Sequence, residues 1–384
     1  MDFDFTDDQE MLRDSVRKWV GKGYDFERRR GIAKAGGFSS EAWQQLAELG
    51  LLGLHVPEAH GGMGFGPVDA MVVMEELGRG IVAEPVAEVA LVAAGLLARC
   101  GDESLQANWL PAIAAGEALV VLAHQERTAR YRLSRVKTKA TQAGGAWRID
   151  GSKSIVPIGD RADAFIVPAR VSGDADDSAG IALFLIERSA DGVTTSGYPT
   201  QDGARAAELK LAQAPASLLF AAGSGDASGF AALEWAVDTG IAAVCAEAVG
   251  VMDKLVALTV EYMNTRKQFG VAIASFQALR HRIADVKMQL ELARSMSYFA
   301  TLKLGEAAPA RRRALAQAKF QLNQSVRFVG QQCIQLHGGI GVTEEYAASH
   351  YFKRLTMIEM SFGDSLHQLG EVSARMQDTA GVFA

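Results

Sequence analysis

Cysteine is scarce in this sequence, and its histidines lack a metal-binding pattern. Only Cys100, Cys245 and Cys333 occur in 384 residues, far apart and without a CxxC pair. An odd number of widely spaced cysteines argues against a disulfide framework, so we expect a reducing compartment, the cytoplasm. The seven histidines show no HExxH or similar spacing, so we expect no metal site.

An excess of positive charge and long apolar runs are also missing. The formal net charge is −6, whereas a nucleic-acid-binding protein normally carries a basic excess. The longest strongly apolar run, near Val89–Ala98, is shorter than the roughly 20 residues of a membrane-spanning helix. The acidic N-terminus, Met1–Asp8, has no apolar core like that of a signal peptide. We therefore expect no nucleic-acid partner and no membrane partner.

The chain does have regular apolar patterns, and their order divides it into three parts. Helix-spaced apolar residues run to about residue 118, with Thr6 and Ser39 or Ser40 placed as N-caps. Short alternating runs follow, and Asp150-Gly151 predicts a hairpin turn between two of them. Amphipathic patterns then predict long helices from Ile241 to near Arg266, over Phe276–Leu304 and over Arg311–Leu336.

The predicted fold is α+β and mainly α. An N-terminal α-helical domain is expected over 1–118, an antiparallel β domain over 119–226 and a C-terminal four-helix-bundle domain over 227–384. Short connections between the last helices favour antiparallel neighbours, as in a bundle.

Two conspicuous motifs are expected to have no catalytic role. The glycine cluster Gly61–Gly66 lacks the preceding strand of a dinucleotide-binding loop, so it predicts a loop between helices. Gly363-Asp364-Ser365-Leu366 spells the signature of GDSL-type hydrolases. A nucleophilic serine needs a base within hydrogen-bond reach, and no Asp-x-x-His follows Ser365. We interpret this match as chance.

Two further segments could contact a ligand. Arg266 and Gln268 lie where a long helix ends before Gly270, and a guanidinium and an amide there can bind an anion such as a diphosphate. The alternative is an ordinary charged helix C-terminus with a glycine stop. In Gln335-Leu336-His337-Gly338-Gly339, the paired glycines permit close approach of a ligand or a backbone, or simply cap a helix.

Together, in this order and spacing, the two segments resemble the acyl-CoA dehydrogenase family of flavoproteins. The N-terminal part matches the family in Leu49–Gly53, Val56–Glu58 and Glu75–Arg79. The resemblance covers almost the whole chain. More narrowly, three segments look like the small subunits of pimeloyl-CoA (dicarboxylyl-CoA) dehydrogenases: Tyr198–Gly203, Ala246–Gly250 and Thr265–Gly270.

The resemblance implies a reaction, a cofactor and partners. Members of the family oxidise an acyl-CoA thioester to the 2,3-enoyl-CoA, using a glutamate base and the flavin of FAD as hydride acceptor. Their electrons pass to an acceptor flavoprotein. Two segments reach the FAD of a neighbouring subunit, so an oligomer, a dimer or a tetramer, is implied. Carried over to this chain, the FAD contacts are Arg266, Gln268, Phe269, Gln335, Gly338 and Gly339.

The catalytic base is missing from both of its usual places in the family. The place in the final helical segment, before Gly363, holds Phe362, and the place on the long helix holds Gly240. Asp238, a usual CoA contact, is kept. The nearest alternative carboxylate is Asp364.

The residues that would cradle a flavin are changed as well. The usual Thr-Glu-Pro and Gly-Ser-Asp stretch reads His124–Tyr131, and the usual Trp-Ile-Thr reads Ile155-Val156-Pro157. Isoleucine has no ring to stack on a flavin, and proline has no N–H to donate. These changes predict the small, base-deficient subunit of a heteromeric enzyme with a larger catalytic partner. The alternatives are a self-sufficient homo-oligomeric enzyme with an atypical base and a non-catalytic acyl-CoA-binding homologue.

Overall fold

A computed structural model describes residues 4–380, and its first part is helical as predicted. Thr6 caps the first helix through a capping box, because its hydroxyl accepts the Gln9 N–H while the Gln9 side chain accepts the Thr6 N–H. Ser39 is the N-cap of the third helix. Gly61–Gly66 lies in a loop. The helices are α1 (Asp7–Gly23), α2 (Phe26–Lys34), α3 (Ser40–Glu48), α4 (Pro67–Arg79), α5 (Ala94–Cys100), which continues a π-helical stretch Ala87–Ala93, and α6 (Glu103–Ala114).

The middle part forms a seven-stranded sheet that closes on itself. β5 pairs with both β7 and β4, so the path β4-β2-β3-β7-β5 returns to its start, and β6 adds to β7 on the side. A closed sheet leaves few unpaired edges. The strands are β1 (Val120–Leu122), β2 (Lys139–Ala143), β3 (Ala146–Pro157), β4 (Ala164–Arg170), β5 (Ile181–Glu187), β6 (Val193–Pro199) and β7 (Arg205–Phe220).

The prediction of a wholly antiparallel domain is wrong at β1. This strand pairs with β4 in parallel, with Val120 opposite Ala164, and a single parallel bridge joins β2 to β4. Parallel neighbours need a long crossover connection. The β2–β3 hairpin supplies it, because it lies between β1 and β4 in the chain. The remaining pairs in this sheet are antiparallel.

The predicted turn at Asp150-Gly151 is also wrong. β3 continues through these residues, and the register against β7 shifts there, which marks a β-bulge. Gly151 has φ +156°, and a Cβ on it would clash with Thr138. The Asp150 carboxylate accepts the Gln213 N–H at 2.9 Å. The hairpin turn lies instead at Gly144-Gly145, where both φ angles are positive.

The last part is helical, and the three predicted long helices are confirmed. α9 packs against α8, α10 and α11, so it is the central helix of this group. The elements are α7 (Gly229–Thr265), the two-residue strands β8 (Lys267–Gln268) and β9 (Val271–Ala272), α8 (Gln277–Lys303), α9 (Ala308–His337), α10 (Ala347–Met360) and α11 (Ser365–Ala380).

The helical–β–helical order is confirmed, and the chain is organised in two compact units. One contains the residues up to Gly31, Pro67–Val82 and the chain from Ile241 onward. The other contains Ile32–Gly66 and Ala83–Gly240. The first helical part therefore contributes to both units. The domain boundaries at residues 118 and 226 stay predictions.

In the first unit, α4 and α7 touch through their backbones. A Cβ on Gly78 would overlap the Glu247 carbonyl oxygen, and a Cβ on Gly250 would overlap that of Glu75. Two facing glycines therefore permit a helix crossing that any side chain would push apart. Ion pairs surround the crossing, joining Arg79 to Asp253, Arg294 to Glu75 and Arg354 to Glu247. This contact explains why glycines stand in the motifs Glu75–Arg79 and Ala246–Gly250.

We predict that Gly250→Ala lowers the free energy of unfolding by about 1–3 kcal/mol, the usual cost of overpacking. Gly370→Ala on α11 is the matched control, because a Cβ there meets no atom within 4 Å. Removing a helical glycine at such a position is expected to stabilise by about 0.5–1 kcal/mol. Urea denaturation of both variants measures the difference, and equal effects of the same sign would refute the backbone contact.

Candidate functional site

The segment after α7 forms a small hairpin that presents the first predicted FAD contacts. β8 and β9 pair antiparallel, and Phe269-Gly270 forms the two-residue turn, with φ +54° and +82°. The Ile273 N–H donates to the Arg266 carbonyl at 2.9 Å and so closes the base of the hairpin. Arg266 and Gln268 are exposed, and Phe269 is 90% exposed. The sequence pattern predicts only the end of a helix here, and the glycine of Phe269-Gly270, a residue suited to turns, is the one local signal for the hairpin.

The second predicted segment lies at the end of α9. Gln335, Gly338 and Gly339 are exposed, and a Cβ on either glycine would meet no atom within 4 Å. The surface above the glycines is therefore open to a ligand, and any side chain there would occupy that space. Gly338 has φ +66°, a conformation that favours glycine.

Aromatic side chains support the glycine segment from below. The buried His337 ring lies 4.8 Å from the Tyr262 ring and 5.2 Å from the Tyr346 ring, measured between centroids. Its Nδ1 lies 2.8 Å from the Cys333 carbonyl, so the neutral ring donates from Nδ1. Burial lowers the pKa of His337, which keeps the ring neutral at pH 7.

A small apolar cluster holds the two predicted segments at one end of the helical unit. Met263 from α7, Ile273 after the hairpin and Leu336 from α9 are buried together, with Leu279 and Ile283 of α8 packed against them. The structure therefore brings Arg266–Phe269 and Gln335–Gly339 into one neighbourhood. Sequence spacing alone could not establish this, because about 70 residues separate the two segments.

The same end of the unit carries several exposed apolar side chains. Phe269, Val271, Ile340 and Val342 are 90%, 45%, 43% and 70% exposed. The Phe269 and Phe276 rings meet edge to face, with centroids 6.1 Å apart. We call Phe269, Val271, Ile340 and Val342 the hairpin patch. Exposed apolar groups gathered in this way are typical of interaction surfaces.

The two positions at which the resemblance places a catalytic base differ in their surroundings. Phe362 is half-buried and has φ +56°, and Gly240 is buried within α7. Asp238 is fully buried, so its carboxylate is not exposed to solvent. Asp364 accepts the His367 N–H at 2.9 Å and caps α11. The structure therefore gives Asp364 a capping role.

In the β domain, a buried ion pair joins the first segment of the predicted flavin cradle, His124–Tyr131, to β3, the strand that carries the second. Glu126 binds Lys153 at 2.8 Å and also accepts the N–H groups of Lys137 and Thr138. Burial opposes the charge on Glu126, but the Lys153 charge and these hydrogen bonds lower its pKa overall. Burial, together with the Lys153 charge, lowers the pKa of His124 to about 4. Both halves of the cradle are thus joined by a buried ion pair.

The more exposed residues of the predicted cradle, Ile155 and Pro157, lack the groups that the family uses to contact a flavin. Ile155 is 55% exposed and has φ +53°, so an aliphatic side chain stands where the family has an aromatic ring. Pro157 lies at the end of β3 and offers no N–H. These residues do not fit a flavin ring, whereas Arg266, Gln268 and the open glycines do fit part of an FAD.

A separate cavity of about 450 Å³ lies in the first unit. Its charged lining includes Arg17, Glu76 and Lys254, and its apolar lining includes Ile81 and Tyr351. Arg17 donates to both Glu76 oxygens, at 3.1 and 2.6 Å. None of the predicted FAD contacts lines this cavity.

Residues 4–380 contain neither a candidate metal site nor a candidate membrane-spanning helix. No group of three or more histidine, cysteine, aspartate or glutamate side chains is arranged to hold a metal ion there. Within the same residues, no helix combines the length and apolarity needed to cross a membrane.

Comparison with known proteins identifies the family. Three family models match in succession: the acyl-CoA dehydrogenase N-terminal domain over residues 6–117, the middle domain over 122–213 and the C-terminal domain over 227–377. The acyl-CoA dehydrogenase FadE27 of Mycobacterium tuberculosis is 28% identical over 349 residues, which are 89% of each chain.

Solved structures agree. A chain of the ChsE4–ChsE5 complex from Mycobacterium tuberculosis is 27% identical, with a TM-score of 0.87 over 99% of this chain and 100% of that one. The steroid ACAD Tcur3481–Tcur3483 is 27% identical, with a TM-score of 0.88 over 97% of this chain and 99% of that one. With all three of its domains matched in order, the chain belongs to the acyl-CoA dehydrogenase family.

Proposed function

We propose that this chain is the small, base-deficient subunit of a heteromeric FAD-dependent acyl-CoA dehydrogenase. The proposal rests on a contrast between the positions of the catalytic base and the positions of the FAD contacts. The places for a base hold Phe362 and Gly240, whereas the exposed hairpin and glycine segment keep the residues suited to a neighbour's FAD. In a chain without any function, we would expect the FAD-contacting residues to be lost together with the base.

The residues of this chain would act on the partner's cofactor. Arg266 would pair with the FAD diphosphate, Gln268 would hydrogen-bond beside it, and Phe269 would cover its apolar parts. Gln335 would contribute an amide, while Gly338 and Gly339 would let the cofactor lie against the backbone. When bound, the flavin supplies the hydride acceptor that no side chain can provide.

The larger partner would supply the base. Removing a proton next to a thioester carbonyl needs a positioned carboxylate, and neither usual place in this chain has one. Similarity to a chain of the two-component ChsE4–ChsE5 complex supports a heteromer. The exposed hairpin patch would lie in the subunit interface, where its burial stabilises assembly.

Substrate and acceptor follow the family. The substrate would be an acyl-CoA, and the pimeloyl-like segments favour a dicarboxylic acyl chain. Electrons would pass to an electron-transferring flavoprotein, the kind of protein named for one similar structure. The enzyme would work in the cytoplasm. Asp238 would contact CoA only after its buried carboxylate became accessible, so we assign it no contact in this conformation.

Colour and activity together test the proposal. The chain is purified alone and after co-expression with a larger acyl-CoA dehydrogenase chain from the same organism, and dye reduction by an acyl-CoA is measured. We expect colourless, inactive protein alone and yellow, active protein from co-expression. Yellow protein that is active alone would favour a self-sufficient enzyme, with Asp364→Asn testing its base. Colourless protein that binds acyl-CoA but never gains activity would favour a non-catalytic homologue.

We predict that Arg266→Ala weakens FAD retention by the assembled complex. Loss of a charge-assisted contact costs about 1.5–3 kcal/mol, which corresponds to roughly 10- to 100-fold in affinity. Arg266→Lys should recover only part, because an ammonium cannot form the bidentate fork. Flavin absorbance after gel filtration measures retention, and Arg188→Ala, at another exposed arginine, is the control. Full FAD content with only a lower melting temperature would show that Arg266 merely stabilises its helix.

We predict that Phe269→Asp weakens subunit assembly without unfolding the chain. A charge on a 90%-exposed side chain costs the isolated subunit little, but it would have to be desolvated in an interface. Met11→Asp is the matched control, because Met11 is also exposed, at 64%. Sedimentation velocity of the co-expressed complex measures assembly. An unchanged complex with Phe269→Asp would place the interface elsewhere.

A further inference from the structure

A fully buried lysine lies beneath the turn that carries Phe362. Lys319 on α9 is 0% exposed, and its ammonium donates to the carbonyls of Ile358 and Glu359, at 2.8 and 3.3 Å, and to Asn323 Oδ1 at 2.5 Å. An ammonium has three N–H donors, and each of them has an acceptor here. The lysine therefore holds the last turn of α10, a helix that ends two residues before Phe362.

Two amides complete the support of this turn. Asn323, also fully buried, donates from Nδ2 to the Gly363 carbonyl at 3.3 Å. Gln368, 2% exposed, donates from Nε2 to the Phe362 carbonyl at 2.8 Å. Side-chain donors thus satisfy four main-chain acceptors, two in the last turn of α10 and two in the connection that follows it: the carbonyls of Ile358, Glu359, Phe362 and Gly363.

The backbone held in this way is strained. Phe362 has φ +56° and Gly363 has φ +117°. A bulky non-glycine residue rarely adopts positive φ, and such a conformation persists only where the surroundings enforce it. A turn that served only to join α10 to α11 would gain nothing from a strained phenylalanine. The donors beneath it supply the enforcement.

We propose that Lys319, Asn323 and Gln368 are positioning residues. Together they fix residue 362 in its left-handed conformation. The backbone at the place of the missing base is then preformed, and it holds the Phe362 side chain in a fixed direction. The inference rests on the proposed function only in taking position 362 as the place of the missing base. The positioning itself depends on the contacts of this chain alone.

The charge of Lys319 makes the hydrogen bonds near residue 362 sensitive to pH. Burial lowers the pKa of Lys319 to about 8, against the opposing influence of Cys245 on α7, Glu359 on α10 and Asp364 at the start of α11. Above that pH the neutral amine has two N–H donors for three acceptors. One contact beneath the turn is then lost, and the surroundings of residue 362 change.

A fluorine label at residue 362 tests the inference in the full-length chain. 4-Trifluoromethylphenylalanine replaces Phe362 alone, so the protein gives a single ¹⁹F signal. In otherwise wild-type chain we expect one narrow line that shifts with a midpoint near pH 8. Lys319→Met should abolish the titration and give a broad line or several lines, because the turn is no longer held.

Further variants separate positioning from general stabilisation. Lys319→Arg keeps a permanent charge and N–H donors, so we expect one line without titration. Lys303→Met, at an exposed lysine paired with Glu306, should leave the line and its titration unchanged. If Lys319→Met retains the wild-type line and titration while only its melting temperature falls, the inference is wrong.

One more variant covers the case in which Lys319→Met does not fold. Gln368→Met leaves the lysine in place and removes only the donor to the Phe362 carbonyl. It should broaden the line while the titration persists, and an unchanged line would refute the positioning of residue 362 by these side chains. These measurements need neither FAD nor a partner, so their outcome is independent of the heteromer experiment.

Discussion

The backbone contact between α4 and α7 is the constraint on which the first compact unit depends. Gly78 and Gly250 have no side chains, so the two helices can approach until main-chain atoms touch. Ion pairs lie beside the crossing, and their charged groups would lose partners by moving away from it. In one of them, Arg354 binds both Glu247 oxygens, at 2.5 and 2.7 Å. Through this contact a segment from the first quarter of the chain becomes part of the C-terminal helical unit. It also fixes α7, whose end carries the exposed hairpin.

Patterns of adjacent residues predict most local features of this fold, but they do not predict the pairing of distant strands. The Thr6 cap and the end of α7 depend on a few adjacent residues, so their patterns were sufficient. The parallel pairing of β1 with β4 depends on residues more than 40 positions apart, and no local pattern encodes it. The prediction of a turn at Asp150-Gly151 failed for the same reason. Asp-Gly suits a turn, but the bulge is enforced by Gln213 on a distant strand and by the closeness of Thr138.

The candidate site shows a similar division. Motifs identified Arg266, Gln268 and the paired glycines, because a ligand surface needs particular residue types at particular spacing. They could not show the hairpin at Phe269 or the buried cluster of Met263, Ile273 and Leu336 that joins the two segments. The sequence gives no signal for Lys319 either, since a lysine in an amphipathic helix normally points to solvent. Only its burial reveals a role.

The Glu126–Lys153 pair bears on how such a protein can change during evolution. It joins the two halves of the cradle from inside, while Ile155 lies outside and is half exposed. Outer residues such as Ile155 could therefore be exchanged without removing a partner from this buried pair. Loss of a ligand need not be followed by loss of the fold around it. A duplicated gene released from selection for catalysis could thus lose ligand-contacting residues while its protein still folds.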